Sequence, residues 1–382
     1  MNGRRACAAW ASLAAALALA GQFITVQFNY GGNWTGLFCT GSRFPVPAAL
    51  AHESIYVFPD SRGYDGQFYH YIAHDPWLRH GLASSLDAPR LRYRRILIPA
   101  LAWLLSGGGG RHLHAAYIWL ILASVFLGAY WLGRGFAERG AHPAWGLLFL
   151  AIPGTLISLD RMTLDGPLAA LTAAFALYVR AGPRWKLYLT LAAAPLVRET
   201  GLLLIAACGL WEIRRRQWAR TLAAAATAAP ALAWYAFVHA RTADTAPFLL
   251  TLPLAGLFQR LSASAGYRLA APVSRLAATL DWVAIAGLLV SLGLAVRILL
   301  RRRDALGLAV ALFGLLLTTL KVHFWLDAYS YTRLVSPLLI LLLAAEQTAR
   351  PRLALLPPAL MLPRIGLQLG WQLLGVLRRL AG

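Results

Sequence analysis

Apolar residues in this chain fall in runs at roughly 6–29, 114–133, 143–159, 165–180, 186–197, 200–213, 219–238, 276–299, 305–320, 334–347 and 352–363. Each run reads as membrane helix. Several are shorter than the ~20 residues that an upright crossing needs, so some helices must tilt, break or pair. The pattern predicts an all-α integral membrane protein forming one polytopic domain over 1–382. Its expected parts are a first span at 6–29, an outer loop at 30–113, a bundle over 114–363 and an interfacial helix at 364–382. That makes about 11 transmembrane helices in all. Arg4 and Arg5 precede the first run, and Ala18-Leu19-Ala20 has the form of a cleavage site. The run nevertheless continues through Phe23, Ile24, Val26 and Phe28, longer than the core of a signal peptide, so it is read as an uncleaved span.

The basic residues set an orientation. With a cytoplasmic N-terminus and one crossing per run, the cytoplasmic segments are Gly133–His142, Arg180–Lys186, Arg214–Arg220, Arg297–Asp304 and Glu346–Arg352, each with at least two basic residues. The other side receives 30–113, Asp160–Asp165, the Arg198-Glu199 neighbourhood, 239–275 and Lys321–Arg333, and with them most of the acidic residues. This parity requires that Tyr93–Leu105 does not span. The segment is short, begins with Arg94 and Arg95 and contains Pro99, which suits a helix lying in the interface. Parity also divides 186–213. As one helix it would bury Arg198 and Glu199 in the bilayer, where a central charge costs ~2.5–3.5 kcal/mol, and Pro195 removes a backbone donor just before them. Two short helices meeting at Arg198-Glu199 on the outer side are expected.

Composition agrees with the membrane reading: 59% of residues are apolar and 13% charged, against about 25% charged in soluble chains. The net charge of +21 sits mainly in short arginine clusters between apolar runs, so loop anchoring explains it without nucleic acid. Cys7, Cys39 and Cys208 are far apart, with no CxxC or Cys/His spacing, and indicate neither a disulfide framework nor a zinc site. No phosphate-binding glycine loop or dinucleotide fingerprint is present. Tryptophans near run ends, such as Trp131, Trp145 and Trp218, suit an interfacial belt.

The chemistry lies on the outer side. Glu53, Asp60, Asp65, His70, His74 and Asp75 fall in the first loop, and Asp160, Arg161, Asp165, Arg198, Glu199, Lys321, His323, Asp327, Tyr331 and Arg333 in the later outer segments. Ionisable groups at a membrane edge are functional candidates because exposure to lipid is costly. Asp65 reads either as a proton acceptor at the mouth of the bundle or as the N-cap of the helix that follows. Asp75-Pro76 has the form of an N-cap with proline at the first helical position. His70 and His74 share a helix face, as metal ligands do, but no further residue has matching spacing; a polar interfacial face is the simpler account, and no metal ligand is assigned. Asp160 and Asp165 either satisfy helix ends or hold a substrate or cation around Arg161. Arg198-Glu199 is either a structural ion pair or functional. Lys321–Arg333, mixing cations with Trp325, Tyr329 and Tyr331, suits either a phosphate beside an apolar chain or an aromatic belt.

A first span, a long outer loop with Tyr64-Asp65-Gly66-Gln67-Phe68-Tyr69, the segment Tyr93-Arg94-Arg95-Ile96-Leu97-Ile98-Pro99, and Arg198-Glu199-Thr200 together resemble bacterial multi-span glycosyltransferases of the GT-C class. Mannosyltransferase-like and lipopolysaccharide-sugar-transferase-like members are the similar ones. The likeness covers architecture over most of the chain, with motifs confined to roughly 55–105 and 160–200. It implies a GT-C-like bundle, a polyprenyl-phosphate sugar as donor, and a base or acceptor-binding role for the acidic residue of the first outer loop, here Asp65. Some relatives carry an adjacent Asp-Asp or Glu-Asp pair where this chain has one Asp, which leaves a divalent cation an open question. The expected activity is inverting transfer of a hexosyl or pentosyl group at the periplasmic face of the bacterial inner membrane. Asp65 would deprotonate the hydroxyl of a glycan, lipid or protein acceptor, and Arg198, Lys321, His323 and Arg333 would surround the leaving phosphate, with Arg94 or Arg95 at headgroup level. Asp160 and Asp165 would orient sugar hydroxyls or the acceptor, with Glu199 and Tyr331 among the binding residues. The alternatives are a transporter or flippase of a lipid-linked sugar, which makes no bond, and a structural membrane subunit.

Overall fold

Helix α1 (Gly3–Asn29) runs unbroken for 27 residues and packs along the later helix that starts at Leu113. The polar interval after it folds into short pieces. These are a 3-10 turn at Trp34–Phe38, two parallel two-residue strands, β1 (Thr40–Gly41) and β2 (Val57–Phe58), and helices α2 (Asp65–His74), α3 (Pro89–Tyr93) and α4 (Leu97–Leu105). With nine residues, α4 is about 13 Å long and cannot cross a bilayer. The computed structural model describes residues 3–180, 182–243, 250–263, 266–267, 270–346 and 352–381. Parts of the expected connectors 239–275, Arg180–Lys186 and Glu346–Arg352 lie outside those residues.

The bundle continues with α5 (Leu113–Ala137), then a 3-10 stretch Pro143–Ala151 joined at 61° to α6 (Pro153–Arg161), α7 (Asp165–Tyr178), α8 (Arg184–Val197) and α9 (Leu202–Arg214). After these come α10 (Trp218–Ala226), α11 (Ala229–Arg241), α12 (Ala255–Ser262), α13 (Ala271–Arg301), α14 (Ala305–Thr318), α15 (Val322–Leu326), α16 (Ala328–Ala345) and α17 (Arg352–Ala381). Among the described residues six segments are long and apolar enough to cross a membrane: α1, α5, α10 with α11, α13, α16 and α17. Counting the bent pair that ends in α6 makes seven. The other apolar runs form α7, α8, α9 and α14, helices of 13 or 14 residues and so about 20 Å long.

Helix α16 is the axis of the assembly. Almost all of it is buried, against α6, α7, α13, α14 and α17. The last apolar run differs from expectation: in place of a separate interfacial helix over 364–382, α17 is one helix of 30 residues, continuous through Pro357 and Pro358, that packs on α13, α1 and α16. Proline removes donors from such a helix, but neighbouring helices in an apolar medium compensate, and Gly287 of α13 lets the Pro357 carbonyl approach closely.

The connectors gather at two ends. At one, Arg139, Arg180 and Arg302 all donate to the last carbonyls of α16, where a helix C-terminus favours cations, and Arg184 lies 3.5 Å from Glu212. At the other, the pieces of 30–113 meet the α6–α7 turn, the α8–α9 break and the start of α16.

Candidate active site

Asp65 is the first residue of α2, and the N-cap is Tyr64, in extended backbone. Its carboxylate is therefore not used as the cap. Oδ1 lies 3.0 Å from Arg92 Nη2, and Oδ2 accepts from Arg333 Nη1 at 2.8 Å. The flanking aromatics of the motif support these cations: the Arg92 guanidinium stands 4.9 Å over the Phe68 ring and that of Arg333 4.9 Å over Tyr64. Burial opposes ionisation of Asp65, but Arg92 and Arg333 outweigh it and hold the carboxyl well below its ordinary range.

The rest of the motif holds this geometry. Gly66 passes so close to α6 that a Cβ would stand 2.0 Å from the Arg161 carbonyl oxygen, which no side chain larger than hydrogen permits. Gly63 has φ +68°, the left-handed region where glycine is favoured. Gln67 accepts from the Gly41 N–H at 3.1 Å and donates to the Arg62 carbonyl at 2.8 Å, fixing the loop before the helix. Tyr69 Oη accepts from Arg95 at 2.7 Å and from Arg92 at 3.5 Å, which aligns the two arginines.

Around Asp65 the charges form one network. Arg92 is bidentate to Asp87 at 2.9 and 2.8 Å, and Arg95 is bidentate to Glu199 at 2.8 and 2.6 Å. Arg198 donates to Asp165, which also lies 3.7 Å from Arg333. Burial again opposes ionisation of Glu199, yet Arg95 brings its pKa down to about 2. Four arginines (Arg92, Arg95, Arg198, Arg333) and four carboxylates (Asp65, Asp87, Asp165, Glu199) thus balance. Nε of Arg198 and Nε of Arg333 are buried and have no hydrogen-bond partner among the described residues.

A second group adjoins it. Asp160 accepts from Arg161 at 2.8 Å, from Tyr329 at 3.3 Å and from Gln372 of α17. On one side Asp160 closes an apolar groove between α1, α6 and α17, lined by Leu17, Leu37, Leu156, Leu159 and Leu369 and holding ≈ 240 Å³. On the other, Arg161 lines a polar cavity of ≈ 240 Å³ with Tyr64, Asp327, Tyr329 and Arg364.

Of the residues singled out in the sequence, Asp65, Asp165, Arg198, Glu199 and Arg333 come together in the network, and Asp160 lies beside it. Tyr331 faces elsewhere, its hydroxyl 3.4 Å from the Asp281 carbonyl of α13. Lys321 is the N-cap of α15 and His323 lies in its first turn, exposed beside Phe324. Arg92 escaped notice; its signal was a third arginine at two-residue spacing, in Arg90-Leu91-Arg92-Tyr93-Arg94. A buried pair, Arg364 of α17 and Asp281 of α13 at 2.8 Å, was missed, Asp281 lying inside an apolar run and Arg364 at the start of the expected interfacial helix. Asp75 is not an N-cap: it ends α2, and its carboxylate accepts from the backbone N–H of Arg79 and His80 at 2.7 and 2.9 Å, because the chain turns at Pro76 instead of starting a helix. His70 and His74 do not form a polar surface face, since His70 is fully buried.

Compared with protein-family models, curated proteins and solved structures, the chain has no significant match.

Proposed function

We propose that the chain is a GT-C-like glycosyltransferase that moves a sugar from a polyprenyl-phosphate donor to an acceptor hydroxyl at the periplasmic face of a bacterial inner membrane. The observation that carries this reading is the Asp65 carboxylate held between Arg92 and Arg333, beside buried Nε donors of Arg198 and Arg333 that lack partners. An apolar groove ending at Asp160 offers a lipid tail a path to the polar cavity beside Tyr64. In the transfer step the acceptor oxygen bonds to the anomeric carbon, and the bond from that carbon to the phosphate oxygen breaks with its electron pair. The acceptor proton goes to Asp65.

The balanced network gives the step an electrostatic logic. While Asp65 is clamped it is a weak base. A donor phosphate drawing on Arg333 and Arg198 loosens that clamp and raises the basicity of Asp65. Once Asp65 is protonated, the network carries one surplus positive charge just as the leaving phosphate gains one negative charge, the form of charge stabilisation that favours a transition state. Asp165 and Glu199 hold Arg198 and Arg95 in place for it. The ends of the bundle fit an N-terminus on the cytoplasmic side, with the eleven-run topology completed by the short helices α7, α8, α9 and α14.

Purified protein incubated with radiolabelled polyprenyl-phosphate sugars and candidate acceptors should give labelled product. Passage of donor across a vesicle wall with no product would sink the enzyme reading in favour of transport. Sidedness has its own test. Cys7, Cys39 and Cys208 are buried, so single cysteines at the exposed positions Arg62, Arg79 and Gln217 can be read against a low background. An impermeant thiol reagent added outside should label positions 62 and 79 and leave 217 untouched; the reverse pattern would place the network on the cytoplasmic face.

A further inference from the structure

We propose that Glu53, His70, His74 and His114 form a four-ligand site for a divalent transition ion of the zinc type, separate from the Asp65 network. In the sequence only the pair His70 and His74 shows; folding brings Glu53 from the loop before β2 and His114 from the first turn of α5 against it. One ligand atom from each of the four lies within 4.8 Å of all the others. Nε2 of His70 and Nε2 of His74 are 3.2 Å apart, Nδ1 of His74 is 3.5 Å from Glu53 Oε1, and Nε2 of His114 is 2.9 Å from Glu53 Oε2. Metal–ligand bonds of about 2.0–2.1 Å give a tetrahedron with edges of roughly 3.3 Å, and an ion taking one atom from each residue would draw the present spread of up to 4.8 Å in toward it.

Polar satisfaction points the same way. His114 Nε2 and Glu53 Oε2, 2.9 Å apart, have no other partner among the described residues, and His70 Nδ1 is buried with none. A residue as buried as His70, at 0% exposure, ordinarily has its polar atoms satisfied. An ion would draw the facing lone pairs of three rings and a carboxylate to a common point. Three imidazoles with one carboxylate suit zinc among the divalent ions, and four protein ligands make a closed, structural site.

The support is rigid. Phe38 stacks on the His70 ring with centroids 4.3 Å apart, and the Glu53 N–H donates to the Leu50 carbonyl at 3.0 Å. His114 also lines an apolar cavity of ≈ 310 Å³ with Trp34 and Trp119. Along α2 the ligands His70 and His74 follow Asp65 by five and nine residues, about 7.5 and 13 Å, so the ion is beyond bonding distance of the Asp65 carboxylate. It pins the outer loop, α2 and α5 to one another and so positions the helix that carries Asp65.

The test uses the full chain purified in detergent through a handle without histidine, exposed to Zn²⁺ or Co²⁺ and then desalted. Elemental analysis should find one ion per chain, and bound Co²⁺ should give the intense visible bands of a tetrahedral centre. His74→Gln and His114→Gln should each lose the ion, while His80→Gln, an exposed histidine outside the cluster, should keep it. Absence of retained metal from the parent, or an octahedral Co²⁺ spectrum, overturns the proposal. So does full occupancy in either ligand variant. The spectrum needs only the parent protein, so misfolding of a variant does not blunt the test.

Discussion

Asp65→Asn is expected to fold and insert, to bind donor lipid at least as tightly as the parent, and to transfer sugar two or more orders of magnitude more slowly. A positioned base contributes ~10²–10⁴ in rate, and a carboxamide cannot take the acceptor proton. Binding should hold or improve because Asn removes one negative charge from a balanced network, leaving Arg92 and Arg333 more available to phosphate. Since Tyr64 is the N-cap, loss of the carboxylate leaves the start of α2 intact. The measurement is transfer rate and donor affinity on the same preparation. Near-parental transfer by well-folded Asp65→Asn protein removes the base role and turns attention to Asp165 and Asp160.

Arg333→Ala should weaken donor binding tenfold or more, as loss of a hydrogen bond to a charged group costs about 1.5–3 kcal/mol. It should also destabilise the protein, because Arg333 touches both Asp65 and Asp165 and its removal leaves two carboxylates undercompensated. Breaking a buried pair from one side costs about 3–5 kcal/mol. The two effects separate in the double variant Arg333→Ala/Asp65→Asn, which relieves the surplus negative charge: thermal stability should return while donor binding stays weak. Arg333→Lys should restore binding only in part, since a single ammonium cannot offer Nε and Nη together. If Arg333→Ala binds donor like the parent, the arginine is structural.

The apolar runs were legible because the bilayer imposes their length, and the gathering of Asp65, Asp165, Arg198, Glu199 and Arg333 at one end of the bundle was legible because the alternation of runs and arginine-rich connectors assigns their segments to the same side. What the sequence hid has specific causes. Arg92 sits in a run of arginines that looks like a headgroup anchor, and only the fold shows that it turns inward to Asp65 and Asp87. His114 is 40 residues beyond His74, and no spacing rule links a loop carboxylate, two helical histidines and the first turn of another helix. Pro357 and Pro358 read as breakers by local chemistry, yet packing on α13 and α1 keeps α17 whole. Arg364 and Asp281 look isolated in one dimension and are partners in three.

Helices α8 and α9, joined at Arg198, have a further consequence for the surrounding lipid. At about 20 Å they reach only two-thirds of the way across a hydrocarbon layer of ~30 Å, and they turn exposed Trp185, Leu189, Leu210 and Ile213 outward. Lipid on that flank meets a wall some 10 Å too low. The membrane must pinch there, or water must follow the protein below the headgroup plane, and each response costs a fraction of a kcal/mol per Å of mismatch. A bilayer dimpled beside Arg198 in this way would, under the proposed transfer, shorten the descent of a hydrophilic acceptor to the network and bring a lipid phosphate to its depth.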